Sequence, residues 1–159
     1  MGDPTDILNW RRLDARLTTS GQPTEAQLSD LRDLGVRHVV NLGLHTHEKA
    51  LTDEAGAVAA LGMAYTHIPV DFEQPTEADY EAFCAALAKR PDEPTHVHCI
   101  FNARVSAFFY RYRRERLGVP EAEARARMES VWRPGGVWAR FIGDAAREGA
   151  PHELAGRDY

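Results

Sequence analysis

The sequence predicts an α/β fold in which a parallel-type sheet of about four to five strands is flanked by helices. Apolar, β-branched segments alternate with helical patterns up to residue 116, and the part that follows is helical. Strands that alternate with helices are typical of parallel sheets whose connections cross over as helices. With 159 residues, 43% of them hydrophobic, the chain is long enough for one domain with its own core.

The predicted strands are short segments between turn-forming residues. Residues 36–44 (VRHVVNLGL) have the composition of a buried parallel strand. Residues 95–98 alternate directly after two prolines, as a short strand does. The full set of predicted strands is 13–20, 36–44, 63–70 and 95–98. Residues 3–12 are expected to form a short helix or an extended lead-in.

Two capping boxes mark helix starts, one from Thr24 to Gln27 and one from Thr76 to Asp79. A shorter, alanine-rich helix is expected between them, capped by Thr52 or Asp53. The predicted helices span residues 24–35, 53–62, 76–90, 103–116, 121–131 and 137–147, with Pro120 at the first helical position of the fifth. We therefore expect a single domain over residues 1–159, with a core at about 7–147 and a flexible tail at 151–159.

Composition and charge argue against several functional classes. The net charge is −5, which does not favour nucleic acid or an anionic membrane as a partner. The start of the chain lacks the apolar stretch of a secretory signal, and no apolar run approaches transmembrane length. The expected location is the cytoplasm. Of the two cysteines, Cys84 falls in an apolar helical stripe and is expected to be a small buried hydrophobe; a disulfide to Cys99 is possible but not indicated.

A cysteine and an arginine stand on either side of a short loop between a strand and a helix. Cys99 directly follows the strand at 95–98, and Arg104 lies in the first turn of the next helix. The first amides of a helix have no partner within it and form the positive end of its dipole, which suits a phosphate or another oxyanion. A guanidinium can hold two phosphate oxygens at once.

The same surroundings favour a thiolate at Cys99, since helix N-termini and nearby cations stabilise that form of cysteine. A thiolate beside a bound phosphoryl group can attack phosphorus and form a cysteinyl-phosphate. Asp71 follows a neighbouring strand and can protonate the leaving oxygen; Glu73, two residues on, is the alternative acid. The residues thus suggest phosphoryl transfer.

Two other interpretations of the polar residues stay open. Histidines two apart on a strand share one face, so the pairs His45/His47 and His96/His98 could build a zinc site and a metal-assisted hydrolase. An arginine-rich run in residues 111–116 could contact nucleic acid, but its helical spacing favours a solvated face.

The motifs resemble the cysteine-dependent protein tyrosine and dual-specificity phosphatases, and the whole chain is most similar to their small bacterial single-domain members. The resemblance covers roughly residues 7–145. It rests on SGQPT at 20–24, VVNL at 39–42, HIPVDF at 67–72, HC at 98–99, NARVSAF at 102–108, and the paired VW motifs at 131–132 and 137–138 with FI at 141–142.

The resemblance implies a role for each residue at the central loop, and needs no metal or organic cofactor. Cys99 would be the nucleophile, Arg104 the phosphate clamp and Asp71 the general acid. His98 would support the loop and help keep Cys99 ionised. Ser106 could serve the leaving thiolate or bond back to its own helix. The phosphate would be bound by the amides of Ile100, Phe101, Asn102, Ala103 and Arg104. The expected partners are a phosphorylated protein or small phosphomonoester, with inorganic phosphate or sulfate able to occupy the loop, and no nucleic acid or membrane.

The loop departs from the family signature in three ways. Four residues rather than five separate Cys99 from Arg104, the loop contains no glycine, and Val105 precedes the hydroxyl residue Ser106. Among the loop residues, Asn102 is the one that tolerates a left-handed conformation. Two further hypotheses therefore stand beside a cysteine-dependent phosphatase: a phosphate-binding regulatory pseudophosphatase, and the metal-assisted hydrolase.

Overall fold

The central sheet of the computed structural model, which describes residues 2–154, has five strands. They are β1 (Arg11–Arg12), β2 (Leu17–Ser20), β3 (His38–Asn41), β4 (Ala64–His67) and β5 (Thr95–His98). Their spatial order is β1-β2-β5-β3-β4; β1 is antiparallel to β2 and all other pairs are parallel. The predicted mainly parallel sheet is confirmed.

Strand register brings three carboxyl ends level at the middle of the sheet. Ser20 of β2 and Asn41 of β3 both lie opposite His98 of β5. Ligands of open parallel sheets bind beyond these carboxyl ends. Cys99, the next residue after β5, therefore begins its loop at the centre of that edge.

Helices cover both faces of the sheet. They are α1 (Glu25–Leu34), α2 (Glu54–Ala60), α3 (Glu77–Lys89), α4 (Ala103–Glu115), α5 (Glu121–Glu129) and α6 (Gly136–Ile142), followed by a 3-10 turn at Ala145–Arg147. Successive residues of a strand face opposite sides. Val39 accordingly packs with the α1 and α2 side chains Leu28, Leu31 and Val58, whereas Val40 packs with the core of α3 to α6. This arrangement leaves β5 buried on both faces.

Both predicted capping boxes are present. The Thr24 hydroxyl accepts from Gln27 N at 3.1 Å while the Gln27 side chain accepts from Thr24 N at 3.0 Å. Thr76 and Asp79 exchange the same pair of bonds at 3.0 and 3.1 Å. Both capping boxes could be predicted from the sequence because the bonded groups lie within four residues of each other in the chain.

Strand boundaries were predicted too long. The strand expected over residues 13–20 begins at Leu17, because the Asp14 carboxylate accepts from the amides of Arg16 and Leu17 at 2.8 and 2.7 Å and holds a turn there. The stretches 36–44 and 63–70 are extended strands only over four residues each, β3 and β4. Residues 3–12 form turns that lead into β1 instead of a helix.

The C-terminal part differs most from the prediction. The helix expected over 137–147 ends at Ile142, since Gly143 adopts φ 82° and terminates it, and a 3-10 turn follows. Pro120 is the N-cap of α5 rather than its first helical residue. Trp132–Arg133 (β6) pairs antiparallel with Glu153–Leu154 (β7), within the stretch predicted to be flexible; residues 155–159 lie outside the described part of the chain.

Within residues 2–154, no helix combines the length and the apolar character needed to cross a membrane. Cys84 and Cys99 are both free thiols. Cys84 lies buried among the side chains of the larger core, as predicted, and burial raises the pKa of its thiol.

Candidate active site

The loop of residues 99–104 connects the carboxyl end of β5 to the first turn of α4, as predicted. Cys99 and Arg104 are buried there, with exposed fractions of 0% and 3%. Because β5 is flanked by β2 and β3, the loop is surrounded by the segments that follow those two strands. These neighbours determine the orientation of its peptides.

All four carbonyl groups from Cys99 to Asn102 are bonded to partners outside the loop or within the following helix. The bonds join Cys99 O to His98 Nδ1 at 3.0 Å, Ile100 O to Gln22 N at 3.0 Å, Phe101 O to Asn9 Nδ2 at 2.9 Å, and Asn102 O to Ser106 N at 2.9 Å. In a planar trans peptide the N–H points opposite to the C=O. The four following amides are therefore turned away from these partners.

Those amides have no protein acceptor. Within residues 2–154, no hydrogen bond to a protein acceptor is made by the backbone amides of Ile100, Phe101, Asn102 and Ala103. All four residues are buried. Buried N–H groups in native proteins are almost always paired, so a run of four unpaired ones requires an acceptor from elsewhere. An oxyanion is the acceptor that such consecutive amides fit.

Asn102 supplies the left-handed residue that this glycine-free loop needs. Its φ is 81°, and it is the N-cap of α4 without a capping bond from its side chain. The side-chain amide instead donates to Asn9 O at 2.8 Å and to Thr19 Oγ1 at 3.1 Å. These bonds tie the end of the loop to the N-terminal segment and to β2.

His98 lies between the loop and a buried carboxylate. Its Nδ1 faces the carbonyl oxygen of Cys99 at 3.0 Å, and its Nε2 faces Glu54 Oε2 at 2.6 Å. The other oxygen of Glu54 accepts from Gln22 Nε2 at 2.8 Å. Both side chains of the His98–Glu54 pair are buried, at 0% and 1% exposed. His98, the predicted support of the loop, is thus held in turn by Glu54 of α2.

Arg104 links the loop to the segment that carries the candidate acids. Its Nε donates to Val70 O at 2.9 Å, and its guanidinium lies 5.1 Å from the centre of the Phe72 ring. Val70 and Phe72 flank Asp71 in the chain. The structure thereby brings the backbone of Asp71 to the side of Arg104.

In the loop of residues 71–75, both acidic side chains are exposed, and Phe72 between them holds the loop in place. Asp71 Oδ1 accepts from the backbone amide of Glu73 at 2.9 Å, which forms a tight turn with both carboxylates exposed. Phe72 O accepts from Trp138 Nε1 at 2.7 Å, and the Phe72 ring lies against Trp132 and Trp138. The VW motifs near the C-terminus therefore hold this loop in place.

The hydroxyl of Ser106 is bonded within its own helix. Its Oγ donates to Ala103 O within the first turn of α4, at 3.0 Å. Of the two roles considered for this residue, the structure contains the bond to its own helix.

The histidine pairs do not converge on one centre. Thr18 and Ser20 engage the two ring nitrogens of His96 at 2.9 and 2.7 Å, and both nitrogens of His98 are engaged as described above. His45 stacks on the ring of His67, with 3.7 Å between centroids. In the described part of the chain, no group of three or more His, Cys, Asp or Glu side chains is arranged to hold a metal ion.

Sequence reasoning missed three residues at this site: Asn9, Glu54 and the indole donor of Trp138. Glu54 is the first residue of α2, a position at which an acidic residue is ordinary. Its burial depends on β3 and β5 being neighbours, which no local pattern reveals. The only signal was Gln22, a member of the SGQPT motif whose side chain turns out to bind Glu54.

The chain is similar to a solved structure along nearly all its length. A candidate phosphatase (DUF442) from Shewanella putrefaciens CN-32 is 33% identical and superposes with a TM-score of 0.78, covering 91% of this chain and 96% of that one. TpbA of P. aeruginosa, solved in complex with pTyr, is 21% identical with a TM-score of 0.65, covering 81% of this chain and 75% of TpbA, and shares the fold.

Among curated proteins, a "Beta-lactamase hydrolase-like protein" of Agrobacterium fabrum is 35% identical over 91 residues, 55% of this chain. The chain spans 21% of the length of the curated relatives that it matches. A family model described as "DSP-PTPase phosphatase fused to NAD+ Kinase" matches residues 4–136. Since that match covers most of the chain, the chain belongs to this family of DSP-PTPase phosphatases.

Proposed function

We propose that this chain is a cysteine-dependent phosphatase that hydrolyses phosphotyrosine or another phosphomonoester through a cysteinyl-phosphate. The observation that carries the proposal is the run of four buried residues between the Cys99 thiol and Arg104 whose amides make no hydrogen bond within the described part of the chain. A phosphoryl group bound there would bring its phosphorus next to the sulfur. The amides and the guanidinium would stabilise the charge on its oxygens.

The reaction takes two steps. In the first, the Cys99 thiolate attacks phosphorus, a sulfur–phosphorus bond forms, the ester oxygen leaves, and Asp71 gives that oxygen its proton. In the second, water attacks the cysteinyl-phosphate while the Asp71 carboxylate accepts a proton from it. The sulfur–phosphorus bond breaks, inorganic phosphate leaves and the thiolate is restored. Atoms and charge balance without a metal ion or organic cofactor.

Features around the loop fit an aromatic phosphomonoester. The Phe72 ring is half-buried beside Arg104 and next to the acid, so it can line the approach to the phosphate position. Aromatic faces pack favourably on other aromatic rings. The related TpbA has been captured with pTyr, which supports phosphotyrosine as one substrate to test.

A second candidate is a phosphate-binding protein without turnover. The observation that favours it is the hydroxyl of Ser106, which donates to Ala103 O rather than towards the thiol. A leaving thiolate without that donor is a poorer leaving group in the second step. The amide cradle would then retain affinity for phosphate without completing the cycle.

Hydrolysis of p-nitrophenyl phosphate separates these functions. We expect turnover by the wild-type protein, loss of turnover with retained vanadate binding in Cys99→Ser, and unchanged turnover in Cys84→Ser, the matched substitution at the other buried cysteine. Turnover that persists in Cys99→Ser contradicts the covalent mechanism. Vanadate binding without any wild-type turnover supports the second candidate, and loss of turnover on adding a chelator supports a metal-assisted hydrolase.

A further inference from the structure

We propose that Glu54 is a positioning residue that keeps His98 doubly protonated and, through it, fixes the peptide between Cys99 and Ile100. This inference rests on the proposed phosphatase function for its effect on catalysis. The charge state of His98 is independent of that function, since it depends on the contacts of the ring and on the ionisation of Glu54.

Both ring nitrogens of His98 face oxygen atoms that accept hydrogen bonds. Nδ1 is 3.0 Å from the carbonyl oxygen of Cys99, which has no proton to give. Nε2 is 2.6 Å from Glu54 Oε2, a short contact, and hydrogen bonds between charged partners are shorter than those between neutral ones. An imidazole can satisfy two acceptors only when both nitrogens carry a proton, so an ionised Glu54 requires an imidazolium at His98.

The hydrogen-bond donors around Glu54 favour its ionised form and act against its burial. Burial alone favours the neutral acid, but the charge and hydrogen bond of His98 and the amide of Gln22 hold the pKa of Glu54 below its ordinary value. Gln22 Nε2 donates to Oε1 at 2.8 Å, so each carboxylate oxygen has a donor. A buried ion pair is stable under this condition, with the lone pairs of the carboxylate satisfied.

The other ionisable groups nearby do not replace this pair. His96 on β5 is 6.4 Å from His98 between ring centroids, and burial followed by the charge of His98 lowers its pKa well below the usual value. On β4, burial raises the pKa of Tyr65 and lowers that of His67. His45, an exposed residue, adds a weaker attraction to the Glu54 carboxylate.

His96 also illustrates the opposite arrangement on the same strand. Ser20 Oγ donates to Gly21 O at 2.7 Å, so it accepts from His96 Nε2. His96 Nδ1 then accepts from the Thr18 hydroxyl at 2.9 Å, and the ring is satisfied while neutral. His98, between the Cys99 carbonyl and the Glu54 carboxylate, is the one of these two rings whose contacts favour the charged form.

The pair affects the loop in two ways: it orients one peptide group, and it sets the electric field at Cys99. The Cys99 carbonyl held by His98 lies in the same peptide plane as the amide of Ile100, so fixing one fixes the other. The pair also places its positive member next to Cys99 and its negative member farther away. That order favours the thiolate over the thiol.

The test is Glu54→Gln, with Glu25→Gln as the matched control. Both residues are the first of their helices, α2 and α1, and only Glu54 contacts His98. We expect ¹⁵N ring shifts of His98 to report protons on both ring nitrogens in the wild type, and on one nitrogen in Glu54→Gln. Glu25→Gln should match the wild type.

In p-nitrophenyl phosphate hydrolysis, we expect Glu54→Gln to move the acidic limb of kcat/KM to higher pH by about one unit. Its kcat should fall about tenfold with little change in KM. Glu54→Asp keeps the charge and should recover part of the loss, which a purely structural role of the side chain would not explain.

A neutral His98 in the wild type overturns the inference, and this spectrum decides even if Glu54→Gln does not fold. A Glu54→Gln protein with the wild-type spectrum and pH profile also overturns it. If the wild type shows an imidazolium but no turnover, the phosphatase proposal fails while the charge assignment of His98 stands.

Discussion

The side-chain amide of Asn102 donates to the main-chain carbonyl of Asn9 at 2.8 Å, and both residues have positive φ angles, 81° and 50°. Asn9 in return donates from its own side chain to Phe101 O at 2.9 Å. Two tightly turned segments 93 residues apart thus hold each other through amide groups. In a loop that lacks glycine, this exchange stabilises the backbone conformation that leaves the four amides without an acceptor among the described residues.

Asn102→Ala should destabilise the protein more than Asn102→Gly. Alanine loses the buried side-chain bonds and strains the left-handed backbone, for a total of about 2–4 kcal/mol in the free energy of unfolding. Glycine loses only the bonds, about 1 kcal/mol. Urea unfolding measures both, and equal losses in the two variants would show that the φ of Asn102 is not a source of strain for alanine.

Gly21→Ala should disturb the loop from outside. A Cβ at Gly21 would lie 2.6 Å from the carbonyl oxygen of Ile100, a backbone atom that cannot move without turning its peptide. We expect a loss of about 1–3 kcal/mol in stability together with weaker vanadate binding. Gly149→Ala, with nothing within 4 Å of the added carbon, is the control; identical behaviour of the two variants would refute the prediction.

Asp71→Asn should slow hydrolysis most for substrates with poor leaving groups. Without the acid, kcat for phenyl phosphate should fall about 100-fold, and less for p-nitrophenyl phosphate, whose leaving oxygen needs no proton. Glu73→Gln is the comparison, and the same pattern in that variant instead would assign the acid to Glu73.

Arg104→Lys should weaken phosphate binding and loosen the acid-bearing loop together. Lysine keeps the charge but loses the fork geometry and the Nε bond to Val70 O. Vanadate affinity and kcat are the quantities to measure, with an expected fall in kcat of about 100-fold or more. Arg114→Lys changes an arginine of the same helix that stacks on Tyr110, and it should leave both quantities unchanged.

Lowering the pH should reduce the free energy of unfolding, because His38 takes up a proton more readily in the unfolded chain. Burial, followed by the charge of Arg90, lowers the pKa of this buried side chain from 6.5 to about 4. Between these values the unfolded chain binds the proton and the folded chain does not, so stability falls as the pH drops, by about 3 kcal/mol in total. His38→Gln should flatten this dependence in urea unfolding between about pH 7 and pH 4; an equally steep curve would contradict the assignment.

Local patterns predicted the elements whose signals lie within a few residues. The capping boxes at Thr24 and Thr76 opened helices at the predicted positions, and the strand at 95–98 was correct at both ends. Strand ends elsewhere were wrong because pairing partners, rather than composition, decide where a ladder stops. The helix predicted over 137–147 ends before Gly143, because the left-handed backbone at that residue terminates it despite the helical periodicity of the sequence.

The sequence by itself determined the chemistry available at the centre of the sheet. Cys99, Arg104 and His98 are neighbours in the chain, so their placement at one strand–loop–helix junction followed from local patterns. Only the tertiary structure decided how that junction is held. The strand order β2-β5-β3 brings Gln22 and Glu54 to His98, and the N-terminal turn brings Asn9 to Asn102. Contacts between residues so distant in the chain depend on which strands are neighbours. They hold the loop carbonyls and leave the loop amides without an acceptor among the described residues.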